Sequence, residues 1–290
     1  MKNTASLVKN VCLTLLLLFA ISVNTYAQHS PNLFIKTTKN ADNSVDFYYE
    51  KEAVGSFIVN VNFSKLENSE TQIAPVNVTA NSGFLFKLKP LDKNKKIDFF
   101  YTYSVTQGFL NPTIDPIVTY IMPFKNAKKV KILWGTRPDI SPERWKRYVV
   151  YSKTQDSVFA MRKGLVVVLR TMTRFDKDEK TQETIKIPIQ EIVVEHPDGT
   201  FASYLGIDEK SIAVKIGQKV NTHTYLGLMN GKSDGRYSLT FDIFYHEADS
   251  KNTRGNIVSI NPNFQTQNGI EKLESKKEYI VSYEESILNK

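Results

Sequence analysis

Short runs of alternating apolar and polar residues dominate the chain after about residue 30. The alternation is clearest in Phe57–Phe63 and Phe84–Leu88, where every second side chain is apolar. A period of two places successive side chains on opposite faces of a β-strand. Comparable runs fill residues 32–120, namely NLFIKTT, SVDFYYE, GSFIVNVNF, VNVTA, GFLFKLK and KIDFFYTYSV. Their number and spacing predict an N-terminal β-sandwich.

Gly108–Pro116 interrupts this pattern with prolines and a glycine, which predicts a linker. Further strands are predicted at Val158–Met161, Leu165–Met172, Thr184–Val194, Phe201–Leu205, Arg236–Tyr245, Ile257–Ile260 and Glu278–Tyr283. One helical turn is predicted at Ser141–Trp145, with serine as the N-cap and proline at the first helical position. The charged segment Asp176–Lys180 is typical of a solvated hairpin end.

The expected fold class is therefore all-β. We place an N-terminal β-sandwich domain at residues 28–120 and a second β-domain at 121–250. Residues 251–290 are expected to add C-terminal strands that pack on the preceding domains. The aromatic residues of Asp98–Tyr103 suggest a platform on which a sugar stacks, but alternate aromatic residues on a strand are more often core and rim, which we favour.

The first 27 residues have the pattern of a secretory signal peptide. Lys2 and Lys9 precede or flank the apolar run Val11–Val23, and Thr25–Ala27 is a plausible cleavage site. An apolar run of about a dozen residues is shorter than the ~20 that a spanning helix needs, so we do not expect an integral membrane protein after cleavage. The only cysteine, Cys12, lies in this segment, so the mature chain is expected to have no disulfide and no thiolate chemistry.

Removing Lys2 and Lys9 lowers the formal net charge from +8 to +6, and the remaining lysines are spread along the chain. This balance suits a protein that works among anionic polymers or membrane surfaces of the cell envelope. The chain has no stripe of basic and aromatic residues, so nucleic acid is not an expected partner.

Four motifs in the second region occur in a recognisable order. They are VFAMRKGLV from Val158, VEHPDGTFASYLG from Val194, VKIGQKV from Val214 with Leu226–Gly227, and YSLTFDI from Tyr237. The series resembles the lysostaphin/LytM-type zinc endopeptidases that cut peptidoglycan cross-links, over residues 121 to 245. The resemblance implies an antiparallel β-fold of the duplicated hybrid motif type, in which a sheet forms the floor of a groove.

The chemistry of that family is not retained at the matching positions. The zinc ligands of the resembled enzymes correspond to Trp145 or a nearby residue, Val149 and Thr240, and their catalytic histidines correspond to Gly206 and Ser238. Zinc in a catalytic site needs three nitrogen, sulfur or carboxylate ligands. Valine has no donor atom, the tryptophan indole only donates, and neutral hydroxyls are weak ligands.

The remaining histidines offer no obvious replacement. His196 precedes the turn Pro197–Gly199 and is expected to be a structural residue at a strand end. A relocated metal site would have to use His196, His223, His246 and Glu247.

The sequence therefore predicts an exported, non-catalytic relative of these peptidases, located in the periplasm or otherwise associated with the cell envelope. It would need no cofactor and would bind peptidoglycan or an envelope protein through the former active-site groove, at Trp145, Tyr204, Ser238 and Thr240. Two alternatives stay open. One is an active peptidoglycan metalloendopeptidase with an unrecognised zinc site, and the other is a structural scaffold of an envelope complex.

Overall fold

A computed structural model of the chain describes residues 32–70, 74–135, 146–178, 180–249 and 252–283. The expected signal peptide and the expected helical turn at Ser141–Trp145 lie outside these residues. Strands make up the regular structure of the described residues apart from the 3-10 turn Glu209–Ser211. The all-β expectation is therefore confirmed. No helix in the described ranges is long and apolar enough to cross a membrane.

The first six strands form two antiparallel sheets of three strands each. They are β1 (Leu33–Lys39), β2 (Val45–Lys51), β3 (Phe57–Glu67), β4 (Val76–Val78), β5 (Ser82–Leu88) and β6 (Asp98–Gln107). One sheet has the order β1-β2-β5 and the other β4-β3-β6. Alternate apolar side chains from both sheets build one hydrophobic core. All six strands were predicted from the alternation.

Aromatic rings fill the centre of this first core. The Phe47 ring stacks on Phe86 at 4.5 Å between centroids and contacts Phe99 at 5.5 Å and Tyr101 at 5.3 Å. Phe100, between the last two residues, points outward and is 65% exposed. The aromatic residues of β6 thus alternate between core and surface, which agrees with the favoured interpretation.

Sixteen further strands follow the linker. They are β7 (Thr119–Ile121), β8 (Lys129–Lys131), β9 (Leu133–Gly135), β10 (Arg147–Ser152), β11 (Ser157–Phe159), β12 (Gly164–Lys177), β13 (Thr184–Glu195), β14 (Phe201–Ile207), β15 (Lys219–Val220), β16 (Tyr225–Leu228), β17 (Asn230–Gly231), β18 (Tyr237–Asp249), β19 (Asn252–Ile260), β20 (Asn263–Thr266), β21 (Gly269–Glu271) and β22 (Glu278–Ile280). Nine of them form a central sheet with the path β15-β12-β13-β14-β18-β10-β9, to which β17 and β19 add by pairing with β18.

The two faces of the central sheet have different roles. The inner face packs into the second hydrophobic core, which also receives Phe264, Tyr279 and Val281 from the C-terminal strands. These strands are joined to the rest by pairs between β20 and β7, β22 and β8, and β19 and β18. We call the opposite side the outer face, which the strand registers define by Arg147, Val149, Tyr151, Glu191, Val193, Phe201, Ser203, Leu205, Ser238, Thr240 and Asp242.

The N-terminal part covers one end of the outer face. Val54 and Phe109 pack against a small buried cluster that includes Val193 and Phe201. The linker is held in place at this end, because the Asn77 side chain bonds both the N–H and the C=O of Leu110 at 2.8 and 3.0 Å. The other end of the outer face, around Thr240, is half-buried.

Candidate functional site

Four of the five positions that match the family's functional residues lie together on β10, β14 and β18. Val149 and Thr240 are direct register partners in adjacent strands. Gly206 lies beside Ser238, since a Cβ atom built on the glycine would be 2.7 Å from the Ser238 carbonyl oxygen. The fifth position, Trp145, lies outside the described residues. The structure thus brings Val149, Gly206, Ser238 and Thr240 to one place at the half-buried end of the outer face.

A β-bulge explains why position 206 is glycine. Gln190 pairs with Ile207 and the next residue, Glu191, pairs with Leu205, so Gly206 is the extra residue of β14. Its φ is +104°, a backbone conformation that residues with a side chain rarely adopt. A side chain here would also meet the Ser238 carbonyl group, so a histidine does not fit at this position without a local rearrangement.

The cross-strand neighbours of Thr240 are apolar. Thr240 has Leu205 as its partner in β14 and Val149 in β10, and these three half-buried residues form one row across the outer face. The row continues in β13 with Glu191, the register partner of Leu205, so it contains one hydroxyl group and one buried carboxylate, which Ser203 and Arg170 engage. It can support van der Waals packing and one hydrogen bond with a ligand.

The next row along the strands is polar, and its groups bond one another. The Arg147 Nε atom lies 3.0 Å from Asp242 Oδ2, and Asp242 is almost completely buried. In the same region Ser203 Oγ donates to Glu191 at 2.7 Å, and Arg170 forms an ion pair with the other oxygen of that carboxylate. These buried carboxylates are therefore engaged by cations and hydroxyl groups of the chain itself.

Arg174 on β12 reaches Ser238, the position that matches a catalytic histidine of the resembled enzymes. Its guanidinium donates to Ser238 Oγ at 3.2 Å and to the Gly231 carbonyl oxygen at 2.5 Å. Asp176 holds it in place, with an N–O distance of 3.2 Å, and also contacts Lys232 at 3.2 Å. Burial acts to raise the pKa of Asp176, but bonds from the Ser233 N–H and Lys232 and the charge of Arg174 outweigh it, so the pKa is lowered.

This arginine was not among the residues predicted from the sequence, and the position of its partner was predicted wrongly. The predicted strand ended at Met172, and Asp176 was assigned to a solvated hairpin end. The strand continues to Lys177, and Asp176 is only 7% exposed. Arg174 and Asp176 are two residues apart and so share a face of the strand. Extending the alternation by five residues would have identified them as a pair.

Tyr204 does not line the outer face, contrary to expectation. Its ring is fully buried in the second core, on the inner face, and its hydroxyl oxygen accepts a hydrogen bond from the Met161 N–H at 2.7 Å. Burial raises the pKa of this tyrosine. It occupies the opposite face to its neighbours Ser203 and Leu205, so it supports the fold and cannot contact a ligand in the groove.

The described histidines are used in packing. His196 is 2% exposed, and its Nδ1 lies 2.9 Å from the Lys163 carbonyl oxygen. His223 stacks on Phe159 at 4.0 Å and lies 2.5 Å from the Tyr283 hydroxyl. Among the residues that the structure describes, no three or more His, Cys, Asp or Glu side chains are grouped so as to hold a metal ion.

Comparisons with known proteins leave the family open. No family model, curated protein or solved structure matches this chain.

Proposed function

We propose that this chain is an exported, non-catalytic, peptidase-like protein that binds peptidoglycan or a protein of the cell envelope. The binding surface is the half-buried end of the outer face, around Leu205, Thr240 and Val149. The protein acts by holding its ligand and does not cleave it.

The observation that carries this proposal is the position of Arg174. Its guanidinium bonds Ser238 where the resembled enzymes have a catalytic histidine beside their zinc ion. The positive charge of Arg174 would disfavour a divalent cation at this position. Asp176 offsets part of this repulsion, and the described residues include no group of three or more His, Cys, Asp or Glu side chains that could hold the ion.

The composition of the row supports a binding role. Leu205 and Val149 offer apolar contact area on either side of the Thr240 hydroxyl. Arg174 and Lys232, which share a single carboxylate, add positive charge beside it. A surface of this kind suits a polymer that carries both methyl groups and carboxylates, as peptidoglycan stem peptides do. Weak binding in the micromolar-to-millimolar range corresponds to only about 4–8 kcal/mol.

Sedimentation with purified, insoluble peptidoglycan tests the proposal. The mature chain from Gln28 onward is expected to sediment with the polymer and to release no soluble muropeptide. The Thr240→Arg variant should lose binding because the long charged side chain blocks the row. Thr38→Arg is the matched control, because Thr38 is an exposed threonine on β1, distant in sequence from Thr240. This variant should bind as the unmodified protein does.

Other outcomes separate the alternatives. Release of muropeptides that a chelator abolishes would show an active metalloendopeptidase and would overturn the proposal. If the chain does not sediment, a photo-crosslinking amino acid at position 205 tests for an envelope protein partner. A crosslink from position 205 and none from position 38 supports a docking role, whereas no crosslink from either leaves the scaffold as the better account.

A further inference from the structure

A second concave surface lies away from the outer-face row. It is a cleft of about 1020 Å³ between the N-terminal part and the central sheet. One wall is the turn at residues 51–56 with Thr79 and Asn81, and the other is formed by residues 163–165, 195–199 and 219–221. Val149, Gly206, Ser238 and Thr240 do not line it, so it is a separate candidate site.

The walls of the cleft are fixed relative to each other. Glu195 on β13 accepts a hydrogen bond from the Ser56 N–H at 2.8 Å and another from the Ser56 hydroxyl. The buried Lys51 ammonium donates to the carbonyl oxygens of Ala53 at 3.1 Å and Gly55 at 2.8 Å. The cleft is therefore largely formed before any ligand arrives, which reduces the entropic cost of binding.

Two of the three carboxylates that line the cleft, Glu195 and Asp198, have hydrogen-bond partners in the chain. Glu195 is bonded to Ser56 and lies near the Lys51 charge. Asp198 bonds the Arg162 guanidinium at 2.5 Å and the Thr200 hydroxyl at 2.7 Å. Neither carboxylate is available to a metal ion or a strongly cationic ligand without breaking these contacts.

Uncharged polar groups remain available around the opening. The side chains of Thr79, Asn81, Thr113 and Asn221 are exposed, line the cleft and make no hydrogen bond to any described residue. Side-chain amides both donate and accept, as do hydroxyl groups. The lining also includes the half-buried or buried aliphatic side chains of Val54, Leu165 and Val220.

We infer that this cleft binds a short oligosaccharide. A pyranose ring presents apolar C–H groups on its faces and hydroxyl groups at its edge, which matches a lining of aliphatic side chains, amides and hydroxyls, to which the exposed Lys163 and Lys219 add further hydrogen-bond donors. The volume is at the upper end of the range of about 300–1,000 Å³ typical of small-ligand pockets, so it has room for more than one sugar ring. The inference goes beyond the proposed function, because it concerns a different surface.

Titration calorimetry with defined oligomers tests this inference. The probes are chitotetraose, cellotetraose and tetra-alanine, each added to the mature chain at up to millimolar concentration. We expect saturable binding of at least one of the two tetrasaccharides. Asn81→Ala and Asn221→Ala should each weaken it about three- to tenfold, as expected for the loss of one hydrogen bond. Asn94→Ala, an exposed asparagine outside the cleft, is the matched control and should leave the affinity unchanged.

Three results would overturn the inference. The first is no binding of either tetrasaccharide, and the second is binding of tetra-alanine alone, which would indicate a peptide site. The third is tetrasaccharide binding that Thr240→Arg abolishes and the cleft variants do not change. That result would place the sugar on the outer face and would favour the proposed function while removing the cleft site. Conversely, sugar binding in the cleft by a chain that fails to sediment with peptidoglycan would support this inference alone.

Discussion

His196 makes the free energy of unfolding depend on pH, and the His196→Asn substitution removes this dependence. The imidazole is 2% exposed, lies 5.5 Å from the Tyr120 ring and bonds the Lys163 carbonyl group. Burial lowers its pKa from 6.5 to about 4. The ring is therefore neutral in the folded protein at pH 5, whereas in the unfolded chain it is mostly protonated at that pH.

The sign and size of the effect follow from proton linkage. Between the two pKa values the unfolded state binds the additional proton, so the free energy of unfolding falls as the pH is lowered. This contribution is complete above about pH 6.5 and is lost progressively down to pH 4. At 1.36 kcal/mol per pKa unit the full loss is about 3 kcal/mol, of which roughly 2 kcal/mol has occurred at pH 5.

Urea denaturation of the mature chain and of the His196→Asn variant at pH 7.5, 6.0 and 5.0 measures this contribution of His196 to the free energy of unfolding. Asparagine keeps a donor for the Lys163 carbonyl group and does not titrate. We expect the variant to be less stable at pH 7.5, because the smaller side chain leaves a gap, but to lose about 2 kcal/mol less than the unmodified protein between pH 7.5 and 5.0. Parallel pH profiles for the two proteins would refute a neutral buried imidazole.

Three further predictions concern stability. Gly206→Ala should lower the free energy of unfolding by about 1–3 kcal/mol, and more than Gly235→Ala, which has a positive φ but nothing within 4 Å of the added methyl. Thermal denaturation compares them, and equal losses would contradict the contact with Ser238. Glu195→Gln should lower the free energy of unfolding, measured by urea denaturation, by about 1–3 kcal/mol, because it removes the charge near buried Lys51. Glu50→Gln, which removes one member of an exposed ion pair, should lower it by less than about 1 kcal/mol. Tyr204→Phe should cost about 1–3 kcal/mol by leaving the Met161 N–H unbonded, and no change in melting temperature would disprove that bond.

Sequence runs predicted all six N-terminal strands and β12, β13, β14 and β18, whose apolar side chains contribute to the two main hydrophobic cores. Among the strands that were not predicted, β9, β15 and β20 have only two to four residues and carry too few positions for a period to emerge, whereas β10 has six. β20 pairs in parallel with β7, more than 140 residues earlier in the chain, and such a pairing depends on the whole fold.

Part of the candidate site was predictable from the order of the motifs along the chain. Motif order identified Val149, Gly206, Ser238 and Thr240, and adjacent strands place these residues side by side. It gave no information on Arg174, because that residue lies outside every motif and reaches Ser238 only through the β12–β13 hairpin. Nor could it reveal the bulge at Gly206, since a register shift is a property of two strands and not of either sequence alone.

The linker between the two cores has a consequence for how the protein can be dissected. Besides its bonds to Asn77, the linker continues with Asn111, whose N–H bonds the His246 carbonyl oxygen at 2.8 Å and whose side chain accepts from the Ala248 N–H at 2.9 Å. The two parts should therefore melt in one cooperative transition. Cutting the chain at residue 116 would leave Val193 and Phe201 uncovered and would favour aggregation. Loss of binding in such a fragment would not show which part binds the ligand, so point substitutions in the intact chain are the appropriate tools.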